Sequence, residues 1–321
     1  MNNPWEQIER PLKDVNARRV DYKHPLNFFW AIDSINNYLF IYKFKTTDPL
    51  ESKIPQLKGI KCVLSKISGN NYQLVLILKE KVNWDMFYAL CMDLFTVSVK
   101  EQDALDAWEL ILRRLQRWQE FLKRDRERIL TEEKIKGLVG ELHFIHKHIG
   151  PTHGFYNAIK FWTGPLGQPQ DFNIGDDAIE VKCQIGTSAP KVRISSIEQL
   201  CSQVQTLYLF VVTLGKTSDT DIERINLPIL VERIIQQLEK DNCKGIELFM
   251  DLLAETGYFY AKAYDDYNYI LSTNKTYEVK DDFPRLDPGE IPIGVSSIKY
   301  DISLQECINF ECIYPKTKEI L

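Results

Sequence analysis

The run TLYLFVVTLG, residues 206–215, carries no charged side chain and no polar alternation. Its β-branched and aromatic residues favour a strand. A strand without a polar face must be covered on both sides, which places it at the centre of a sheet flanked by other layers. A chain of 321 residues can build such a core and a second domain beside it. Hydrophobic residues make up 44% and charged residues 26%, an ordinary globular balance, so neither disorder nor a fibrous class is indicated. No stretch approaches the roughly 18 consecutive apolar residues of a membrane span. MNNPWEQIER lacks the apolar centre of a signal peptide. The seven cysteines are scattered, with no Cys-x-x-Cys pair, which fits free thiols in a reducing cytoplasm. The net charge of −5 excludes bulk attraction to nucleic acid, so any such binding needs a local basic surface.

Two regions separate along the chain. NFFWAIDSINNYLFIYKF reads as two strands around a turn at Asn36 and Asn37, and GIKCVLSKISGNNYQLVLILKE as a hairpin turned by Gly69, Asn70 and Asn71. NWDMFYALCMDLFTVSV predicts a helix behind an Asn83 cap. A long helix over about 102–125 follows, with Trp108, Leu112, Leu115 and Leu122 as its apolar stripe. Residues 1–125 are thus expected to form an N-terminal β-rich α+β module, and 126–321 a second domain. The second region opens with a helix that Thr131, Glu132 and Glu133 start and Gly150-Pro151 would stop. GFYNAIKFWTG reads as a strand, a hairpin follows over 169–184, and SSIEQLCSQV as a short helix capped by Ser195 or Ser196. With the apolar run, the order is helix, strand, strand, strand, helix, strand. Helices at about 226–240 and 245–257 and several strands over about 267–314 complete it, with Pro284, Pro288 and Pro292 interrupting the tail.

The hairpin PQDFNIGDDAIEVKCQ poses a physical problem. Residues two apart on a strand share a face, so Glu180 and Lys182 lie together. A turn at Gly175-Asp176 sets Asp171 opposite Glu180, and one at Asp176-Asp177 sets it opposite Lys182. Either register gathers three charges on one face, while Phe172, Ile174, Ile179 and Val181 point into a core. Such a cluster is costly without a purpose. Two carboxylates a few ångströms apart suit a hard divalent cation, which acidifies a bound water and neutralises charge on a phosphate. A neighbouring lysine can steer that water. These are the parts needed to hydrolyse a phosphodiester.

Asp171, followed nine residues on by Glu180-Val181-Lys182 in this order of elements, resembles the PD-(D/E)XK nuclease superfamily. The resemblance implies an α/β protein with a restriction-endonuclease-like αβββαβ core and a mixed central sheet. It implies Asp171 and Glu180 as metal-binding acids, the Val181 carbonyl as a further ligand and Lys182 as the motif lysine. Glu141, in GLVGELHFI, matches the acid that many members carry on the first helix, where Gly137 and Gly140 would allow close approach to the sheet. Gln184 continues the Glu180 and Lys182 face, and Arg193, Ser195 and Gln199 match polar residues that face the site, as phosphate contacts, in some branches. The family's Pro-Asp pair is here Gln170-Asp171, with proline one place earlier at Pro169. The layout is similar to an uncharacterised bacterial branch encoded near restriction and phage-defence genes. The implied activity is a Mg²⁺-dependent DNA endonuclease, with Mn²⁺ as a substitute. The implied partners are DNA, a second copy in a homodimer and other subunits of a defence system, with no membrane. The reading from another class is a non-catalytic nucleic-acid-binding or assembly subunit with the same fold.

Other signals are weaker. His143, His146, His148 and His153 cluster without a complementary ligand pair, and a helix end attracts histidine for other reasons. Arg113, Arg117, Arg124 and Arg128 share a face of the long helix, with Arg114, Lys123 and Arg126 nearby. Interspersed Glu120, Asp125 and Glu127 favour a solvated, salt-bridged face over a phosphate track. GPLGQPQ lacks the Lys-Ser/Thr of a P-loop.

Overall fold

The computed structural model describes residues 3–48, 50, 53–123, 129–186, 189–201, 206–242, 244–280, 282–295 and 297–314. The chain divides into two units, 1–128 with 259–262, and 129–258 with 263–321.

In the first unit, β1 (Val15–Arg19), β2 (Asn27–Asp33), β3 (Tyr38–Lys45), β4 (Ile60–Ser68) and β5 (Asn71–Leu78) form an antiparallel sheet in the order β1-β2-β3-β5-β4. The polar segment VNARR had given no signal for β1; it pairs at the edge, where its exposed side chains are tolerated. Alternation sends Phe28, Trp30, Phe40, Leu74 and Leu76 to one face, where they meet Phe87 and Leu90 of α1 (Trp84–Val97) and Trp108 and Leu115 of α2 (Ala104–Lys123). Arg114 is not on the solvated face: it is buried in this core and binds Asp93 through Nε (3.0 Å) and Nη2 (2.6 Å), while the Trp118 indole donates to the same carboxylate at 2.8 Å. Arg124, Asp125, Arg126, Glu127 and Arg128 lie outside the described residues.

The second unit opens with α3 (Glu132–Phe144), whose first turn is capped by the Thr131 hydroxyl accepting from the Lys134 N–H. Gly150-Pro151 does not stop it. A π-helical turn at Ile145–Ile149 carries the helix into α4 (Gly150–His153), and the break falls at Gly154, with φ +79°. The segment expected as a strand is helix α5 (Phe155–Phe161). Phe155, Ala158, Ile159 and Trp162 recur at i, i+3, i+4 and i+7, so one helical face buries Ala158, Ile159 and Trp162.

The central sheet joins β6 (Phe172–Ile174), β7 (Asp177–Ile185), β9 (Thr206–Lys216), β10 (Tyr269–Glu278) and β12 (Glu311–Cys312) in the order β12-β10-β9-β7-β6. β7 and β9 are parallel and the other pairs antiparallel, so the sheet is mixed. β9 sits in the middle, and Leu207 to Val212 are buried in succession, as the uncharged run requires. β8 (Lys191–Ile194) leaves this sheet and pairs with β11 (Tyr300–Ser303). That small sheet contributes Val192, Ile194 and Ile302 to a core with Ala178, Leu209 and Val211. On the other face α3 packs on β7 at Gly140, where a Cβ would lie 3.0 Å from the Cys183 Sγ. Of the short helix expected behind a Ser195 or Ser196 cap, the described part is a 3₁₀ turn, Ile197–Leu200; residues 202–204 lie outside the described residues. α6 (Leu227–Asp241) and α7 (Lys244–Thr256) complete the unit. Among the described residues, no helix is long and apolar enough to cross a membrane.

Candidate active site in the hairpin cleft

The β6–β7 register pairs Phe172 with Ile179 and Ile174 with Asp177, leaving Gly175-Asp176 as a two-residue turn. Gly175 takes φ +60° at the first turn position, a conformation glycine adopts without strain. Of the two registers open in the sequence, this is the one that brings Asp171 opposite Glu180.

Asp171 is held from both ends. Its Oδ2 accepts the Val181 N–H at 2.8 Å, and its backbone carbonyl accepts from Thr163 and Gly164 at 2.9 and 3.0 Å. Gly164 lies so close that a Cβ there would stand 2.9 Å from Asp171 Oδ1. Glu180 is 1% exposed. Its Oε1 meets the Lys182 Nζ at 2.6 Å, and its Oε2 has no hydrogen-bond partner among the described residues. Lys182 also donates to Gln199 Oε1 at 3.1 Å, and that oxygen accepts the Ser195 N–H at 2.7 Å. Glu141, from α3, accepts the Trp162 indole N–H at 2.7 Å.

The electrostatics follow from three acids facing one lysine. Burial, reinforced by the Asp171 charge, pushes Glu180 well above the usual carboxylate range. Burial raises Asp171 to about 6, against Lys182 and the Val181 N–H. Burial and the Asp171 charge raise Glu141 to about 8, against the Trp162 hydrogen bond and Lys182. Burial works against the charge on Lys182, but Glu180 and Asp171 outweigh it and hold its pKa above the ordinary value. The neighbouring Cys183 thiol is pushed up to about 12 by burial, which argues against a thiolate nucleophile.

Asp171, Glu180, Val181, Lys182 and Glu141 all line one cleft of about 840 Å³. Gln184, Arg193, Ser195 and Gln199 line it too, so every site residue named from the sequence is brought to one place. Several of the polar ones are already engaged. Gln184 donates to Thr213 Oγ1 and accepts from the Lys191 N–H, each at 3.1 Å, tying β7 to β9 and to the start of β8. Arg193 Nε and Lys191 Nζ bind the two oxygens of Asp301 across the small sheet, at 3.1 and 2.8 Å. Gly140 gives α3 its close approach, whereas a Cβ on Gly137 would meet nothing within 4 Å.

For a divalent cation, the donors are hard oxygens and one of them, Glu180 Oε2, is buried without a partner, which fits Mg²⁺. Among the described residues no three His, Cys, Asp or Glu side chains converge on one point, so the fit rests on Asp171 and Glu180, with water completing the shell. Among the described residues the histidines join no group that could hold a metal ion; His143 is buried, and His148 Nε2 pairs with Asn274.

Two residues of the site carried no chemical signal in the sequence. Trp162 belongs to an apolar helical face, yet its indole N–H reaches Glu141. Gln170 occupies the place of the motif proline and is buried, and its Nε2 lies 2.6, 3.4 and 3.2 Å from the carbonyls of Glu198, Gln199 and Cys201. The residue before the first acid thus fastens the turn that carries Gln199. The departure from the Pro-Asp pair was the one available hint.

A mixed sheet bearing an acid opposite a Glu-x-Lys strand, with a further acid on the covering helix, is consistent with a PD-(D/E)XK-like fold. A family described as "Putative PD-(D/E)XK family member, (DUF4420)" matches residues 1–305, and the chain belongs to that family. No curated protein and no solved structure matches it.

Proposed function

We propose that this chain is a Mg²⁺-dependent DNA endonuclease of restriction or phage defence, acting in the cytoplasm. The observation that carries the reading is the set of contacts at the hairpin: Asp171 opposite Glu180, with the Lys182 ammonium 2.6 Å from Glu180 Oε1, on the wall of a cleft. Asp171, Glu180 and the Val181 carbonyl would hold Mg²⁺, or Mn²⁺ in its place, and Glu141 would serve as an outer ligand. Bound there, the cation supplies an acidified water and neutralises charge gathering on the phosphate. Lys182 keeps its proton on Nζ, where Gln199 and Glu180 hold it in one orientation to position the attacking water. Glu141, with its Oε2 fixed by Trp162, holds its other oxygen available. Arg193 and Ser195 supply cleft-wall groups for phosphate oxygens.

This reading also gives the second unit an αβββαβ core. It takes α3 as the first helix, the antiparallel bridge between Trp162 and Phe172 as the remnant of the first strand, β6 and β7 as the next two, the 197–200 turn in place of the second helix, and β9 as the last. One site cuts one strand, so a duplex break calls for two sites and a homodimer, free or formed on DNA.

The reading as a non-catalytic binding or assembly subunit draws on two observations: Glu180 is buried and ion-paired, and among the described residues no three acids converge on one point. Cleavage of supercoiled plasmid with Mg²⁺, wild type beside Lys182→Ala, separates the two. Nicking or linearisation by the wild type and loss in the variant is the expected result; equal inactivity, with DNA binding retained, establishes the binding subunit.

A further inference from the structure

An antiparallel sheet that packs helices on one face commonly turns polar side chains to solvent on the other. The sheet of the first unit departs from this. Its register places Phe29, Ala31, Leu39, Ile41, Val75 and Ile77 on the face away from α1 and α2. They form a cluster of their own, and among the described residues no apolar side chain from a helix or loop joins it. Lys61 stands opposite Ile77 on that face, and Lys43 and Lys45 follow Ile41 at every second position of β3. All three lysines are exposed and make no ion pair among the described residues. Asp33, at the rim, is taken up by its own turn, where it accepts from the Ile35 and Asn37 backbone N–H groups.

The segment between β10 and β11 has the converse character. From Leu286 to Ile298 it carries Asp287 and Glu290 and no lysine or arginine. Asp287 caps the 3₁₀ turn Pro288–Glu290 by accepting the Gly289 N–H at 2.7 Å. The Val295 N–H closes a second turn on the Pro292 carbonyl at 3.1 Å, with Gly294 at φ +94°. Ile293 lies at the apex of that turn, fully exposed, and Leu286 and Val295 are exposed beside it. Prolines and closed turns hold this apolar tip in shape, so docking it loses less conformational freedom than docking an unstructured loop.

Charge selects among occupants of the sheet face. A second sheet face would set lysine against lysine. Nucleic acid would satisfy the lysines, but its bases dock on aromatic platforms, and Phe29 is the single aromatic side chain of the six. The loop offers aliphatic side chains beside two carboxylates, an apolar centre with the opposite rim charge.

We propose that copies of this chain associate head to tail, the 286–298 loop of one copy resting Ile293 on the apolar sheet face of the next, with Asp287 and Glu290 towards its lysines. Such a contact is heterologous, so it closes into a ring or extends as a chain. It stands whether or not the hairpin cleft cuts DNA.

The test is sedimentation velocity of the full chain between about 1 and 100 µM, the range in which a small interface associates. The wild type should gain mass beyond that of a dimer as concentration rises, and high salt should weaken the association. Lys43→Glu, Lys45→Glu and Lys61→Glu together make face and loop both negative. Asp287→Lys with Glu290→Lys makes both positive. Each variant alone should stay monomeric, and an equimolar mixture should associate as the wild type does, because every reversed surface then meets an opposite one. Ile293→Ser should weaken wild-type association by about tenfold or more. All these positions are exposed, so melting temperatures should hold. A wild type that is monomeric throughout, an association that the reversals leave unchanged, or a mixture that stays monomeric overturns the proposal. A fluorescent single-stranded oligonucleotide read by anisotropy is the second arm. Loss of its binding in the lysine variant, beside a monomeric wild type, overturns the contact between copies and assigns the face to nucleic acid.

Discussion

Glu180 Oε1 lies 2.6 Å from the Nζ of Lys182, two residues on along the same strand, while Glu180 Oε2 meets no hydrogen-bond partner among the described residues. The strand's period of two makes the first contact, and burial makes the second observation costly. A half-satisfied buried carboxylate next to one lysine is what the proposed metal site would require.

Lys182→Ala removes the ammonium that faces that pair. If Lys182 orients the attacking water, single-turnover cleavage should slow by about 10²–10⁴ with DNA affinity nearly unchanged. Glu141→Gln should cost less, and excess Mg²⁺ should partly restore it, because an outer ligand contributes affinity before chemistry. Wild-type cleavage by Lys182→Ala would make the cluster structural.

The raised acids also predict how stability depends on pH. A carboxyl whose pKa is higher in the folded state stabilises the fold below its unfolded pKa, and that stability is lost as pH rises through the folded value. With Asp171 raised to about 6 and Glu141 to about 8, the metal-free protein should lose melting temperature between pH 5 and about 9. Glu141→Gln, which stays neutral, should lose less over the upper half of that window. Mg²⁺ should raise the melting temperature more at pH 8.5 than at pH 6. Parallel profiles for wild type and Glu141→Gln in EDTA would contradict the shift.

Asp93 and Arg114 form a buried pair far from this chemistry in sequence, inside the first unit. Asp93→Asn leaves the guanidinium buried beside a neutral amide and removes a charged acceptor from Trp118. The expected cost is about 3–5 kcal/mol of stability, the range for breaking one side of a buried pair. Denaturant unfolding followed by tryptophan fluorescence measures it; a change within about 0.5 kcal/mol, as at an ordinary surface position, would exclude the pair as a core element.

The hairpin was legible because its evidence is local: a period of two, a glycine turn and three charges within a dozen residues. The choice between two turn registers was not, since both satisfy the same alternation. Phe155 to Trp162 was misread for its aromatic, strand-like composition although its apolar spacing is helical. β8 was hidden because its partner, β11, lies far along the chain and only tertiary pairing completes a four-residue strand. The same holds for Gln170. Its amide is a loop-like residue in sequence, and its three carbonyl neighbours come together only when the 197–201 segment folds back on the hairpin.

That fastening predicts an effect on rate through position. Gln199 holds Lys182, and Gln170 holds the turn that presents Gln199. Gln170→Ala and Gln199→Ala should each lower the cleavage rate by about 10–100-fold, the range for partners that orient site groups. The Mg²⁺ concentration for half-maximal rate should stay near the wild-type value, because neither residue is a ligand. Loss of metal affinity in step with rate would instead assign Gln170 to general packing.

Trp162 offers the converse case, in which affinity should move before rate. Its indole N–H donates the one hydrogen bond found on the Glu141 carboxylate among the described residues, and it favours the ionised form of an acid that burial and Asp171 already hold near 8. Trp162→Phe keeps an aromatic ring in the fully buried site and removes the donor. The Glu141 pKa should then rise further, so less of the carboxylate is ionised near neutrality and more Mg²⁺ is needed at pH 7. Raising the pH to 9 ionises most of Glu141 in the wild type and a larger share than at pH 7 in the variant, so their Mg²⁺ requirements should draw closer, while a packing defect would persist unchanged at every pH. Mg²⁺ titrations of cleavage at pH 7 and pH 9 read the two cases apart. A constant ratio of half-saturating Mg²⁺ between variant and wild type at both pH values would show that the indole acts by shape alone.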